Sequence, residues 1–203
     1  MTVPINKRFR KFLPVVVDVE TAGVTPHTDA LLEICAIPLH IKDGQWQPDE
    51  IWHEHIEPFE GANLEQESLD FIGMDPYHPF RMAKTEAIAL AALFELLNKK
   101  LKQHHCHKAI LVGHNAWFDL LFMKNAWKRC QLKPPFHPFS SFDTATIGGL
   151  LYGETVLAKV CRAAKINFDV NEAHSAIYDA KKTAELFCKV INDNSFPISP
   201  TIR

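Results

Sequence analysis

Residues 13–21 have the sequence LPVVVDVET, in which an apolar, β-branched run leads directly into two acidic residues. Such a run predicts a strand that is buried on both faces. Because alternate side chains of a strand point to the same face, we expect Asp18 and Glu20 to lie side by side at its carboxyl end. Carboxylates at such an edge are hard oxygen ligands for Mg²⁺ or Mn²⁺. A strand that simply leaves the core for a polar loop would show the same pattern.

Strand and helix patterns follow this segment in alternation. Further strands are expected over 31–41 and 51–56, joined through a turn at Asp43-Gly44, and then over 109–112, with a strand end at 141–142. Helices are expected over 64–72, 84–103, 116–130, 154–165 and 173–192. This order predicts an α/β fold in which helices cover a mixed sheet, within one domain spanning 1–203. The N-terminal arm 6–12 is basic, and a loose tail is expected from about 193 to 203.

The composition excludes several classes of protein. The 203 residues are 47% hydrophobic and 23% charged, as in a globular chain, and no apolar run approaches the roughly 18 residues of a membrane span. The apolar stretch behind the basic start is too short for a signal peptide. Five scattered cysteines without a CxxC pair exclude a zinc ribbon and indicate a reducing compartment, so we expect a cytoplasmic protein. There is no glycine-rich phosphate loop.

Positive charge is concentrated in three acid-free runs, residues 6–12, 98–108 and 123–133. These 29 residues hold 12 of the 22 lysines and arginines, and the other 174 residues carry 10 basic and 24 acidic ones, a net charge of −14. Such segregation suits contact with a polyanion through basic patches, although any one run could be a solvated face.

Two more segments carry acidic residues beside expected element boundaries. In HNAWFD, residues 114–119, Asn115 is expected to cap a helix and to place Asp119 about one turn in, at the same sheet edge. In HSAIYDA, residues 174–180, a loop histidine precedes Asp179 by five positions, and histidine suits proton abstraction near neutral pH. Each segment alone is also compatible with ordinary capping and exposed polar residues.

Taken in order, the three motifs resemble the DEDDh 3′–5′ exonuclease superfamily. Its five catalytic positions are all filled here, by Asp18, Glu20, Asp119, His174 and Asp179. Further segments are similar to the bacterial ribonuclease T family, and the likeness runs from about residue 8 to residue 192. These segments are RFR (8–10), PVVVDVETAG (14–23), EPFEGANL (57–64), PFHPF (135–139) and FDT (142–144).

The resemblance implies a ribonuclease H-like fold with a mixed five-stranded sheet, and a metal-dependent hydrolase. Asp18, Glu20 and Asp179 would hold two Mg²⁺ ions, or Mn²⁺, with Asp119 partly through water. His174 would be the general base. The family forms homodimers that trim the 3′ ends of structured RNAs such as tRNA and rRNA precursors, and it also degrades single-stranded DNA.

The resemblance also implies substrate contacts. Phe71, Phe118 and Phe139 correspond to positions where the family stacks the terminal bases, and Glu67 to a polar contact with the terminal base. Val24 stands where a further stacking aromatic is expected, and it offers less stacking energy. The basic residues expected to hold the RNA stem across the dimer are Arg8, Arg10, Lys102, Lys108 and Lys133.

Other polar residues were weighed as ligands or structural groups. The run 104–107, HHCH, is interpreted as a solvated helix end, because consecutive residues rarely converge on one ion. His53 and His55 share a strand face but lack a third ligand, so we reject them as metal ligands. Asp143 is expected to be structural or to support the catalytic residues without touching the metal ions.

Alternative functions remain open at this stage. A proofreading-type DNA exonuclease or an oligoribonuclease would use the same catalytic residues. A non-catalytic nucleic-acid adaptor is disfavoured, because no catalytic position is lost.

Overall fold

The architecture is a mixed sheet covered by helices, seen in a computed structural model that describes residues 4–194. In that part of the chain there are six strands and six α-helices. The strands are β1 Phe12–Thr21, β2 Leu31–Lys42, β3 Gln45–Pro48, β4 Trp52–His55, β5 Lys108–Gly113 and β6 Phe136–Asp143. The helices are α1 Gln66–Ile72, α2 Glu86–Gln103, α3 Trp117–Arg129, α4 Thr144–Tyr152, α5 Leu157–Ala163 and α6 Ala176–Asp193. The fold class expected from the sequence is confirmed.

The strand β1 is central in the sheet, whose order is β3-β2-β1-β5-β6 with β4 also paired to β2. It pairs antiparallel with β2 over residues 15–21 and parallel with β5 over residues 12–16. The consecutive residues Val15, Val16 and Val17 are all fully buried, so both faces of β1 are covered. The helix α6 packs on β1, β2 and β3, and α2 and α3 also contact the sheet. This burial explains why the segment is apolar until Asp18.

The sheet has six strands, one more than expected, because the edge beside β2 is made of two pieces. The strand β3 pairs with residues 39–42 of β2, and β4 pairs with residues 33–36. At most five strands therefore lie side by side, in the order β3-β2-β1-β5-β6. The turn at Asp43-Gly44 joins β2 to β3 rather than to the strand expected over 51–56. Both turn residues have positive φ, 51° and 82°, as a tight hairpin turn between adjacent strands requires.

The helix α4 was missed by the sequence analysis, because two adjacent glycines lower helix propensity. Its packing explains one of them. A Cβ atom at Gly148 would lie 2.6 Å from Val160 Cγ2, so only glycine lets α4 approach α5 this closely. The side chain of Asp143 caps α4 by accepting a hydrogen bond from Ala145 N–H at 3.0 Å.

The N-terminal arm packs against the rest of the fold. The basic arm forms two short 3₁₀ turns, Ile5–Lys7 and Phe9–Lys11. The ring of Phe9 anchors the arm, with centroids 5.7 Å from Trp46 and 4.8 Å from Phe142. The tail expected from about 193 begins where α6 ends, and residues 195–203 lie outside the described residues. Within 4–194, none of the helices has the length and apolar character that a membrane crossing needs.

A buried ion pair joins α2 to α3 beneath the loop that follows β1. Arg129 donates from Nε to Glu86 Oε2 at 3.0 Å and from Nη2 to Oε1 at 2.6 Å. Its Nη1 donates to the Pro26 carbonyl at 3.4 Å, and its guanidinium lies 4.0 Å from the centroid of the Phe59 ring. Glu86 is only 5% exposed, so its charge depends on this one partner.

Replacing Arg129 should therefore destabilise the fold. We expect Arg129→Met to lower the free energy of unfolding by about 3 kcal/mol, because it leaves a buried carboxylate without its partner. Urea unfolding followed by circular dichroism measures the change. Lys99→Ala is the control, because it removes an exposed pair with Glu95 and should cost less than about 1 kcal/mol. Equal effects of the two substitutions would contradict the assignment.

Candidate active site

Four carboxylates meet where two parallel strands end. Asp18 and Glu20 lie near the carboxyl end of β1, Asp119 in the first turn of α3 after β5, and Asp179 in the first turn of α6. Asp18, Glu20 and Asp179 each bring a carboxylate oxygen within 4.8 Å of the other two. Asp119 lies outside that group of three. The edge that the sequence predicted thus carries all four acids.

The position of Asp119 is determined by its contact with β1 and by a close approach of the backbone. Its Oδ1 accepts a hydrogen bond from Val19 N–H at 3.1 Å, and the residue is only 4% exposed. A Cβ at Gly113 would lie 3.0 Å from both Asp119 Oδ2 and Ala116 Cα. Glycine at the end of β5 therefore leaves room for the carboxylate beside the strand.

The turn before α3 differs from the expected cap. The side chain of Asn115 does not cap the helix, which begins at Trp117. Instead Asn115 has a left-handed backbone with φ of 65°, and its carbonyl accepts from Phe118 N–H at 2.9 Å. The N–H of Asn115 donates to Asp143 Oδ1 at 2.9 Å. Asp143 thus holds this turn and caps α4, which is the structural role expected of it.

The carboxylates repel one another and are poorly solvated. Burial, followed by the charges of Asp119 and Glu20, raises the pKa of Asp18 well above its ordinary value. Burial, followed by the charge of Glu33, raises the pKa of Glu20 to about 8. Burial raises the pKa of Asp119 to about 7 and also raises the pKa of Asp179. In the absence of a cation, this edge therefore retains protons at neutral pH.

This donor set fits a divalent metal ion with a preference for oxygen. The convergent ligands are carboxylates, which suit Mg²⁺ or Mn²⁺ rather than a softer metal. A bound cation would also favour the charged form of each carboxylate, against the burial and like charge that raise their pKa values, and its binding would release protons.

His174 lies at the rim of this site. Its backbone N–H donates to Asp179 Oδ2 at 3.2 Å, and its backbone is left-handed with φ of 65°. The exposed imidazole packs on Phe71, with ring centroids 4.4 Å apart. The structure thus places the loop of His174 beside Asp179 through a backbone contact, while the imidazole itself lies on Phe71.

A cleft of about 510 Å³ opens directly beside Glu20. Its walls include Val24, Glu67, Phe71 and Phe118, four of the five residues predicted to contact terminal bases. Val24 and Phe71 are 71% and 69% exposed, so both are accessible to a ligand.

The fifth such residue and the basic residues lie elsewhere. Phe139 is 77% exposed in the first half of β6, against His137, and does not line the cleft. The basic residues gather near the amino ends of the parallel strands: Arg8 and Arg10 precede β1, Lys102 ends α2, Lys108 begins β5, and Lys133 precedes β6. Since β1 rises about 3.3 Å per residue, the eight residues from Phe12 to Glu20 separate these groups from the acids by about 26 Å.

Two features were missed by the sequence analysis. His114 bridges elements next to the site, with Nδ1 3.0 Å from Thr144 Oγ1 and Nε2 2.7 Å from the Thr155 carbonyl. His53 and His55 were rejected as metal ligands for lack of a third donor, and the structure supplies one, because Glu33 brings a carboxylate to them. Only the antiparallel register of β2 and β4 reveals that neighbour, and no local pattern carries it. The run 104–107 forms no group of three convergent donors within 4–194.

Known proteins resemble this chain along most of its length. A sequence model for the RNase T family, described as an exonuclease, matches residues 15–187. Ribonuclease T of Vibrio parahaemolyticus is 56% identical over 191 residues, which cover 93% of this chain and 89% of that protein. Ribonuclease T of Photorhabdus laumondii is 53% identical over 190 residues, covering 93% and 88% respectively.

Solved structures agree on the fold. The crystal structure of E. coli exonuclease I in complex with a dT13 oligonucleotide aligns with a TM-score of 0.70 at 19% identity. The alignment covers 89% of this chain but 41% of that one, so the chain spans less than half of exonuclease I. The likeness establishes the ribonuclease H-like exonuclease fold.

The raised pKa of Glu20 predicts how stability depends on pH. Between its ordinary value of 4.5 and about 8, the unfolded state loses the proton that the folded state keeps, so stability falls as pH rises through this window. A pKa difference of one corresponds to about 1.4 kcal/mol. We therefore expect Glu20→Gln to stabilise the ion-free protein at pH 8 by at least about 1 kcal/mol.

Thermal unfolding in the presence of a chelator measures this effect across the pH range. Glu67→Gln is the matched control, because it removes an exposed carboxyl from the same cleft and should leave the profile unchanged. Added Mg²⁺ should cancel or reverse the advantage of Glu20→Gln, because the substitution also removes a charged ligand. An unchanged pH profile in Glu20→Gln would contradict the electrostatic description.

Proposed function

Because this chain belongs to the exonuclease family of ribonuclease T, we propose that its carboxylate edge trims the 3′ ends of structured RNAs, such as tRNA and rRNA precursors. The enzyme is a 3′–5′ exoribonuclease. The observation that carries the proposal is the convergence of Asp18, Glu20 and Asp179 within 4.8 Å, beside an aromatic cleft sized for nucleotides. Single-stranded DNA is proposed as a second substrate, since exonuclease I of the same fold is described with DNA oligonucleotides.

The carboxylates hold the cofactor in this proposal. Two Mg²⁺ ions, or Mn²⁺, bound by Asp18, Glu20 and Asp179 and partly through water by Asp119, would supply an activated water and stabilise the leaving 3′ oxygen. Asp119 keeps its place through the hydrogen bond from Val19 N–H. Water attacks the terminal phosphorus, the bond to the preceding 3′ oxygen breaks, and a nucleoside 5′-monophosphate leaves.

His174 takes the proton of the attacking water as general base. Its backbone contact with Asp179 keeps the loop at the carboxylates, while its ring lies on Phe71. A terminal base that stacks on Phe71 competes with the imidazole for that ring. Substrate binding therefore frees His174 to turn toward the phosphate.

The cleft grips the terminal bases with fewer aromatics than its shape could hold. Phe71 and Phe118 supply two stacking faces, and Glu67 supplies a polar contact. Val24 lies on the same wall but cannot stack, which forgoes about 1–3 kcal/mol per base. We propose weaker binding of the base at that position.

Substitution of the carboxylates or of His174 tests the chemistry. We expect Asp18→Asn, Asp179→Asn and His174→Ala each to lower kcat/KM by at least about 10³-fold, because each removes a ligand or the base. The assay is Mg²⁺-dependent digestion of a 3′-tailed RNA hairpin beside a single-stranded DNA of equal tail length. Asp193→Asn, an exposed acid on the same helix, is the control and should keep full activity.

Each alternative function predicts a different outcome of that assay. Near-full activity of Asp18→Asn or Asp179→Asn would exclude the two-metal mechanism. Digestion of the DNA or of short oligoribonucleotides alone would favour a proofreading-type exonuclease or an oligoribonuclease. Binding without cleavage by the unsubstituted protein would indicate an adaptor.

We also propose that the enzyme works as a homodimer in the cytoplasm. The acidic catalytic edge cannot attract an RNA backbone, and the basic residues of the same chain lie about 26 Å away along β1. A two-fold partner that turns its basic end toward this edge would supply the missing positive charge. Phe139, which lies in the first half of β6, would reach the cleft in the same way. The five free cysteines suit a reducing compartment.

Mixed dimers test whether the basic residues act across subunits. One subunit carries Asp179→Asn, and the other carries alanine at the five basic positions: Arg8, Arg10, Lys102, Lys108 and Lys133. Each parent should be inactive on the hairpin. An equal mixture should recover about a quarter of wild-type activity, because half of the dimers are mixed and each has one competent site.

Light scattering establishes the dimer before the assay. A mixture as inactive as its parents would mean that each subunit binds RNA with its own basic residues. A monomer in solution would exclude the proposal.

A further inference from the structure

A second group of metal-ligating side chains lies between β2 and β4, apart from the catalytic carboxylates. Glu33 on β2 pairs directly opposite His55 on β4, and His53 lies two residues earlier. Because alternate strand residues point to one face, the three side chains converge. Their ligand atoms all lie within 4.8 Å of one another.

The distances in this group suit a tetrahedral ion. Ligands at about 2.0–2.1 Å from Zn²⁺ are about 3.3–3.4 Å from each other. Glu33 Oε1 lies 2.7 Å from His53 Nε2, and Oε2 lies 3.9 Å from His55 Nδ1, so the two distances fall on either side of that value. The imidazole rings are 82° apart and so present their nitrogens from different directions.

One ligand atom has no other use in the described structure. His55 Nδ1 is buried and has no hydrogen-bond partner among residues 4–194. The side chains of His53 and His55 remain 21% and 31% exposed, which leaves a path for an ion from solvent.

One acid and one base lie next to this group. Glu33 lies opposite Glu20 in the pairing of β2 with β1 and contributes to the raised pKa of Glu20. The neighbouring positive charge is Arg81, whose Nη2 donates to the carbonyls of Leu32 at 2.6 Å and Ile56 at 3.2 Å. These hydrogen bonds are made with the backbone, whereas the carboxylate of Glu33 contacts the two histidines.

We propose that Glu33, His53 and His55 bind a Zn²⁺-class transition-metal ion, with water as the fourth ligand. Two imidazoles select such an ion over Mg²⁺, which prefers an all-oxygen shell, so this centre and the catalytic carboxylates bind different metals. The ion joins β2 to β4 and neutralises Glu33 beside Glu20. It therefore supports the catalytic edge without touching substrate.

Equilibrium dialysis against Zn²⁺ tests the proposal. The buffer is near neutral pH and contains excess Mg²⁺, which fills the carboxylate site. We expect one equivalent of tightly bound Zn²⁺. His53→Gln and His55→Gln should each weaken its affinity by at least about tenfold, and both residues are exposed enough to replace without loss of the fold. The double variant Asp18→Asn/Asp179→Asn should bind Zn²⁺ as well as the unsubstituted protein, and so should the control His27→Gln.

A second measurement needs no substitution. Co²⁺ added to the unsubstituted protein in excess Mg²⁺ should give the intense visible absorption of a four-coordinate, nitrogen-ligated ion, whereas an octahedral carboxylate site gives only weak bands. The absence of bound Zn²⁺ would overturn the proposal. So would Zn²⁺ binding that survives both histidine substitutions but is lost in the double aspartate variant, because the ion would then occupy the catalytic carboxylates.

Discussion

The parallel pairing of β1 with β5 is the constraint on which the organisation of this enzyme depends. Residues 12–16 align with residues 108–112, so both strands run from the same end of the sheet to the other. Acidic residues near the carboxyl ends of the two strands must then meet at one end of the sheet. Basic residues that precede the strands must gather at the opposite end. An antiparallel pairing would have placed Asp119 beside the basic arm. Catalytic chemistry and positive charge are thus separated by the length of a strand.

In this arrangement the catalytic carboxylates repel one another. The surrounding elements hold the carboxylates in place but do not neutralise their charge. Asp119 accepts one backbone hydrogen bond from Val19. The carboxylates are brought together by strands and helix starts whose apolar side chains pack in the hydrophobic core. Burial and like charge raise the pKa values of Asp18 and Glu20, and burial raises that of Asp179. The fold stores an unfavourable charge distribution at one edge, which a cation relieves. The repulsion that lowers the stability of the ion-free protein is therefore the same interaction that favours binding of the metal ion.

The parts of this structure that are determined by local sequence could be predicted. In the segment 13–21 the continuous apolar run predicts a strand buried on both faces, and the alternation of Asp18 and Glu20 predicts two acids on one face, so both features could be predicted from the segment alone. The prediction that Asn115 caps a helix was wrong. Asparagine favours both a cap and a left-handed turn, and the residue type does not reveal that a distant aspartate, Asp143, holds the turn. The helix 144–152 was missed because its glycines serve packing against another helix. The partnership of Glu33 with His53 depends on the register between strands distant in sequence.

The edges of the sheet limit how two copies of this chain can associate. Beside β2 the edge is divided between two strands of four residues each, and Pro48 ends the first of them. The other edge, β6, contains Pro138 and pairs with β5 through an irregular register. Short strands, prolines and irregularities leave no continuous row of backbone donors and acceptors for a second sheet to join. A second copy of this chain would therefore contact it through side chains on helices and loops, and strand addition, the usual route to fibrous aggregates, is disfavoured at both edges.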